Sequence, residues 1–174
     1  MKSQFVLLAR YNQWMNDALY EKAKSMTKDN LYTDKGAFFG SAFHTLSHIF
    51  TGDLLWLNRL TTVKGSVDLS SELASFPMVS SNKVHIYHCV EELSHARTRL
   101  DALIMRWVDG IDVNEYENTV QYKNLAGLVI SDPLSSVLLH FFNHQTHHRG
   151  QFTTLLSQSG DSEYVTDLIA LLRQ

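Results

Sequence analysis

Nine histidines occur in this chain of 174 residues, and four of them, His140, His144, His147 and His148, fall within nine positions. Imidazole is the side chain best suited to hold a transition metal or to move a proton near neutral pH. In a helix, residues four apart differ by only about 40° around the axis. His144 and His148 would therefore share a face and could reach one ion from a rigid support, as the two histidines of the HExxH zinc motif do. With His144 set at 0° and a turn of about 100° per residue, Leu134, Val137, Phe141, Phe152 and Leu155 form an apolar arc centred near +50°. His144 and His148 fall inside that arc, whereas His140 and His147 lie on its flank. Two imidazoles on a core face need partners, because a buried polar group left unpaired costs roughly 1–3 kcal/mol.

Two ligands from one helix do not complete a stable site, so a third is expected from a facing helix. His44, His48, His85, His88 and His95 are the candidates, and spacing does not choose among them. His48 adjoins the main apolar stripe of its helix, with Asp53 further along as a possible supporting carboxylate. His140 and His147 read as surface or supporting groups. Arg149 reads either as a solvated charge or as a cation facing a substrate. Trp14, Trp56 and Trp107 read as core rather than pocket wall.

Four long amphipathic helices are expected to position these residues. The first covers roughly residues 3 to 25, with Phe5, Leu8, Asn12, Met15 and Leu19 on one face. The second covers roughly 40 to 62, with a stripe of Ala42, Leu46, Ile49, Asp53, Trp56 and Leu60. The third is expected to start near Ser81 or Asn82, either a good N-cap, and to bury Ile86, Cys89, Leu93, Ala96, Leu100, Leu103 and Trp107. Between 111 and 131, the even spacing of Tyr116, Val120 and Tyr122 suggests a short hairpin or extended loop, turning at 123–127. Asp132 as N-cap and Pro133 at the first helical position would open the fourth helix, which Gly160 would stop. A short helix at about 165–173 would follow. The expected fold class is all-α: a four-helix bundle with a hairpin-like insertion and a short C-terminal helix, as one domain over residues 1–174.

Bulk composition narrows the function. The net charge is −3 and no basic stripe appears, which argues against nucleic acid as a partner. No run of eighteen apolar residues spans a membrane. The N-terminus runs into an amphipathic pattern rather than a signal peptide, so a cytoplasmic location is the default. The single cysteine, Cys89, reads as a small buried core residue.

Asn143-His144-Gln145-Thr146-His147-His148-Arg149-Gly150-Gln151 resembles the C-terminal signature of the DinB/YfiT-like family of metalloenzymes. Tyr11-Asn12-Gln13-Trp14-Met15-Asn16 is similar to that family's first-helix motif. Thr45-Leu46-Ser47-His48 with Asp53 and Trp56 resembles its second, and Thr166-Asp167-Leu168-Ile169 its closing segment. The resemblance spans essentially the whole chain and implies a four-helix bundle, frequently homodimeric. It also supplies the third ligand, giving His48, His144 and His148 as the metal triad. Three neutral imidazoles leave a coordination position open, the arrangement of a catalytic site. An all-imidazole set discriminates poorly among metals, with zinc expected first, nickel close behind, and iron or manganese possible.

Characterised branches of the superfamily imply thiol S-transfer or isomerisation of a small-molecule substrate, with bacillithiol, mycothiol or glutathione as cosubstrate. A metal-hydroxide hydrolase is the nearest variant. It is weakened because no glutamate stands beside the histidine pair, so that Asp53 or a loop residue would have to act as base. Arg149 and Tyr11 are candidate substrate contacts. The contrasting reading is a non-catalytic, metal-stabilised dimeric stress-response or binding module.

Overall fold

The computed structural model describes residues 1–79, 81, 85–124 and 126–173. Its elements in chain order are α1 (Lys2–Ser25), α2 (Lys28–Tyr32), α3 (Ala42–Arg59), α4 (Leu69–Leu73), α5 (Val90–Gly110), β1 (Thr119–Lys123), β2 (Val129–Pro133), α6 (Leu134–Gln158) and α7 (Leu168–Leu171). The four long helices α1, α3, α5 and α6 share one core, α1 lying mainly along α5 and also on α6, and α3 mainly along α6. Phe5, Met15 and Leu19 of α1, Leu46 and Phe50 of α3, Leu100 and Trp107 of α5, and Phe141 and Phe152 of α6 are all buried in it. Burial of these faces, at roughly 25 cal/mol per Å² of apolar surface, drives the assembly. No described helix is long and apolar enough to cross a membrane.

The molecule is mostly helical but not strictly all-α. Its interruption is a hydrogen-bonded antiparallel pair in which Val120 opposes Asp132 and Tyr122 opposes Ile130. The turn joining the strands holds Gly127 at φ 79°, a left-handed value that glycine adopts without a Cβ clash. Leu125, part of the expected turn, lies outside the described residues.

Several expected boundaries move. Asp132 does not cap α6: it is paired in β2, and its carboxylate accepts the Tyr122 hydroxyl at 2.8 Å. The strand runs into the helix without a linker, and the Leu134 amide is met by the Asn118 carbonyl at 2.9 Å. The third long helix begins at Val90, with Glu91 and Glu92 in its first turn, where acidic side chains complement the helix dipole. Ser81 precedes it by nine positions, and Asn82 lies outside the described residues. Ile86 thus falls before the helix, and Cys89 is a half-exposed N-cap residue rather than a core one. Two of the segments between the long helices contain short helices: Thr27 caps α2 and Asp68 caps α4 through their side-chain oxygens. Gly160, at φ 97°, ends α6 as expected, with the Asp161 amide reaching back to Leu156 in a Schellman pattern.

Candidate metal centre

α3 and α6 run side by side, and their packing brings His48 against His144 and His148. His144 Nε2 lies 3.3 Å from His48 Nε2 and 3.1 Å from His148 Nε2. His48 and His148 are buried and His144 is half-buried. One proton on His144 Nε2 can satisfy one of these two contacts, whereas a cation among the three nitrogens satisfies all of them. With metal–nitrogen bonds of about 2.0–2.1 Å, tetrahedral geometry sets donor atoms roughly 3.3–3.4 Å apart, close to the distances found. The donor set therefore fits a divalent ion.

Electrostatics favour the neutral imidazoles that a metal requires. Burial, reinforced by His148 and His48, pushes His144 down to about 3. Burial also lowers His148, against an opposing hydrogen bond from Gln151. The Gln151 side-chain oxygen, an acceptor only, lies 2.8 Å from His148 Nδ1. That contact assigns the proton to Nδ1 and leaves the Nε2 lone pair directed at the triad. The Gln151 amide nitrogen lies 3.3 Å from His147 Nε2, so the exposed His147 supports His148 indirectly.

Two further residues shape the centre. Phe39, on the segment between α2 and α3, stacks on His48 with ring centroids 4.0 Å apart and meets His148 edge-on at 5.1 Å. Gly52, one turn beyond His48 on α3, is where the His144 ring fits: a Cβ there would lie 2.9 Å from His144 Cε1. Sequence reading singled out neither residue, and it gave Gln151 no role. The i,i+3 spacing of His148 and Gln151 was the available signal.

The other candidates lie apart from the triad. His44 stacks on His85 at 4.1 Å between centroids, and His85 Nδ1 lies 3.1 Å from the Ser47 hydroxyl. His88 and His95 are exposed. His140 is also exposed, with its ring edge-on to Trp56 at 4.9 Å and 6.0 Å from that of His144. Trp107 is core and Trp14 packs against the core, but Trp56 lines a cavity, contrary to expectation.

Asp53, Arg149 and Tyr11 are each engaged by partners within the protein. Arg149 is 3% exposed, and so is neither solvated nor at the surface of a cleft. It donates to Asn12, to Gln145 at 3.3 Å and to Thr146 at 3.2 Å, with its guanidinium 5.3 Å from the Tyr11 ring centre. The Tyr11 hydroxyl donates to the Thr166 carbonyl, tying the chain's last segment to α1. Asp53 accepts from Arg97 at 2.5 Å and from Gln145 at 2.8 Å. Arg97 also clasps Asp101 through two nitrogens, at 3.0 and 2.7 Å, and Asp101 accepts from Asn12 and Asn16. The path Arg97–Asp53–Gln145–Arg149–Asn12–Asp101 closes on itself as a buried ring with members on all four long helices.

Within this ring, burial raises Asp53 to about 6 against the pull of Arg97 and Gln145, and raises Asp101 in the same way. The two carboxylates outweigh burial at Arg97 and hold its guanidinium charged. Burial lowers Arg149 to about 10, since its direct partners are neutral acceptors. Gln145 and Arg149 each follow a triad histidine by one residue, so the same turns of α6 supply both the centre and the ring.

The chain matches the family model described as DinB family over residues 1–174. It is similar to Protein DinB of Bacillus subtilis (strain 168), with 26% identity over 163 residues, covering 92% of this chain and 88% of that protein. No solved structure matches it. With its first residue, its last and the three converging histidines all inside the match, the chain belongs to the DinB family.

Proposed function

We propose that this chain is a four-helix-bundle, metal-dependent enzyme. Its His48, His144 and His148 hold one divalent ion, zinc or nickel first, and it joins the sulfur of a low-molecular-weight thiol to an electrophilic small molecule. The observation that carries this reading is the convergence of three largely buried imidazole nitrogens from two helices, with no further histidine, cysteine or carboxylate in their cluster among the described residues. When bound, such an ion supplies a Lewis-acidic position that stabilises a thiolate at neutral pH. The chain's own residues do the rest. Gln151 fixes the His148 tautomer, Phe39 covers His48, and Gly52 leaves room for the His144 ring. The engagement of Asp53 by Arg97 and Gln145 counts against it as a base for water activation, which favours thiol transfer over hydrolysis.

The test is a screen of metal-loaded, untagged protein with cysteine, glutathione, mycothiol and bacillithiol against an activated aryl chloride. In the expected reaction an S–C bond forms while the C–Cl bond breaks, the thiol proton passing to the buffer and chloride leaving. Thioether should accumulate, stop on chelation and resume when metal is restored. No metal-dependent thioether with any of the thiols would overturn the assignment.

Gly52→Ala probes the same centre without removing a ligand. The added methyl displaces the far end of a side chain rather than backbone. It also raises helix propensity by up to about 1 kcal/mol. Metal affinity should fall by about 10- to 100-fold, as when the orientation of a ligand is lost, with little change in the unfolding midpoint of the metal-free protein. Competition against a chromophoric chelator gives the affinity. A value equal to the parent's would mean that the ring's position is not set by this contact.

A further inference from the structure

A cavity of about 690 Å³, a size suited to a small molecule, opens between the end of α3, the β1–β2 hairpin and the first turns of α6. Trp56 and Arg59 line it from α3, Tyr122 and Asp132 from the hairpin, and His140 from α6. The Arg59 guanidinium lies 4.6 Å from the Trp56 ring centre and 5.6 Å from that of Tyr122. Among the described residues it makes no ion pair, whereas Arg97 has two carboxylates. A guanidinium held over aromatic faces keeps its in-plane N–H groups available for bidentate contact with a carboxylate. The walls are preset. Tyr122 is held by strand pairing and by its hydroxyl bond to Asp132, and Trp56 meets His140 edge-on.

We infer that this cavity binds a small carboxylate with a flat apolar body, its carboxylate on Arg59 and its body against Trp56 and Tyr122. The far end of such a ligand points toward His140, whose ring is 6.0 Å from that of His144. The electrophile or the thiol of the proposed reaction would thus carry an acid group. That last identification rests on the proposed metal-centre function, whereas carboxylate binding does not.

The experiment titrates metal-free full-length protein with cinnamate and with its uncharged counterpart cinnamamide, followed by ligand-observed NMR. Without metal, the acid gains nothing from an ion. Cinnamate should bind the parent at least tenfold more tightly than the amide. Arg59→Gln should lose that preference and Arg59→Lys should keep part of it, with folding checked by thermal unfolding. Equal affinities for acid and amide in the parent chain, or an unchanged preference in Arg59→Gln, would overturn the inference. The parent comparison stands whether or not either variant folds. Metal uptake measured on the same preparation reports on the triad separately, so a failed cavity and a failed metal centre give different results.

Discussion

His144→Ala is expected to leave the purified, untagged protein without stoichiometric divalent metal, where the proposed centre of the parent chain would carry one ion. This is the largest functional effect expected of any single substitution, because His144 Nε2 is the nitrogen in contact with both others. Loss of supporting residues alone weakens metal sites about 10- to 100-fold, and loss of one of three ligands should exceed the upper end of that range. Elemental analysis, followed by competition with a chelator, measures it. Metal retained at the parent's stoichiometry and affinity would place the ion elsewhere. Unfolding of the metal-free variant separates loss of a ligand from loss of the fold.

Arg97→Met should produce the largest loss of stability. The substitution leaves the carboxylates of Asp53 and Asp101 buried without their shared cation. Removing one partner of a buried ion pair typically costs about 3–5 kcal/mol. For a chain of this length that lowers the unfolding midpoint by on the order of 10 °C. The deficit should also depend on pH in a stated direction. Burial raises both carboxyl groups in the folded state, so the folded protein binds protons more readily than the unfolded chain. Stability held in this way is present at low pH and is lost as pH rises through the folded-state value. Without Arg97 to oppose it the effect grows, so the gap between variant and parent should narrow as pH falls from 8 toward 5. A gap that stays constant over this range, measured by thermal or urea unfolding, would assign the loss to packing instead.

His144 and His148 were legible in the sequence because both properties that define them are local. A turn of about 100° per residue places them on the apolar face of their own helix, and no other element need be known. His48 was not legible in that way. Spacing left five candidates on facing helices, and motif resemblance chose among them. Gly52 and Phe39 were out of reach, since a glycine inside a helix and an aromatic in a polar segment acquire meaning only from the partner they meet in space. The surroundings of Arg149 and Asp53 were hidden for a related reason. Along the chain Arg149 reads as a solvated charge or a substrate-facing cation and Asp53 as a supporting carboxylate or base, yet the structure pairs Arg149 with Asn12, 137 positions away, and Asp53 with Arg97, 44 positions away. The start of α5 was misplaced because no described side chain caps it, and the acidic pair Glu91 and Glu92 was the better sign. The hairpin was visible through its even spacing, but its direct fusion to α6 was not, because Asp132-Pro133 carries the signature of an ordinary helix opening.

The closed polar ring has a consequence for how the molecule can come apart. α1 and α5 contribute no member of the histidine triad, but they supply Asn12, Arg97 and Asp101 to a circuit that passes through the two turns of α6 bearing His144 and His148. Loosening either helix strands charges beside the ligands, so the chain cannot be divided into a metal-binding half and a dispensable support. Small sliding motions between helices are resisted for the same reason, since a shift of one residue would break several directional bonds at once. The three imidazoles thus inherit their spacing from the cooperativity of the whole helical assembly.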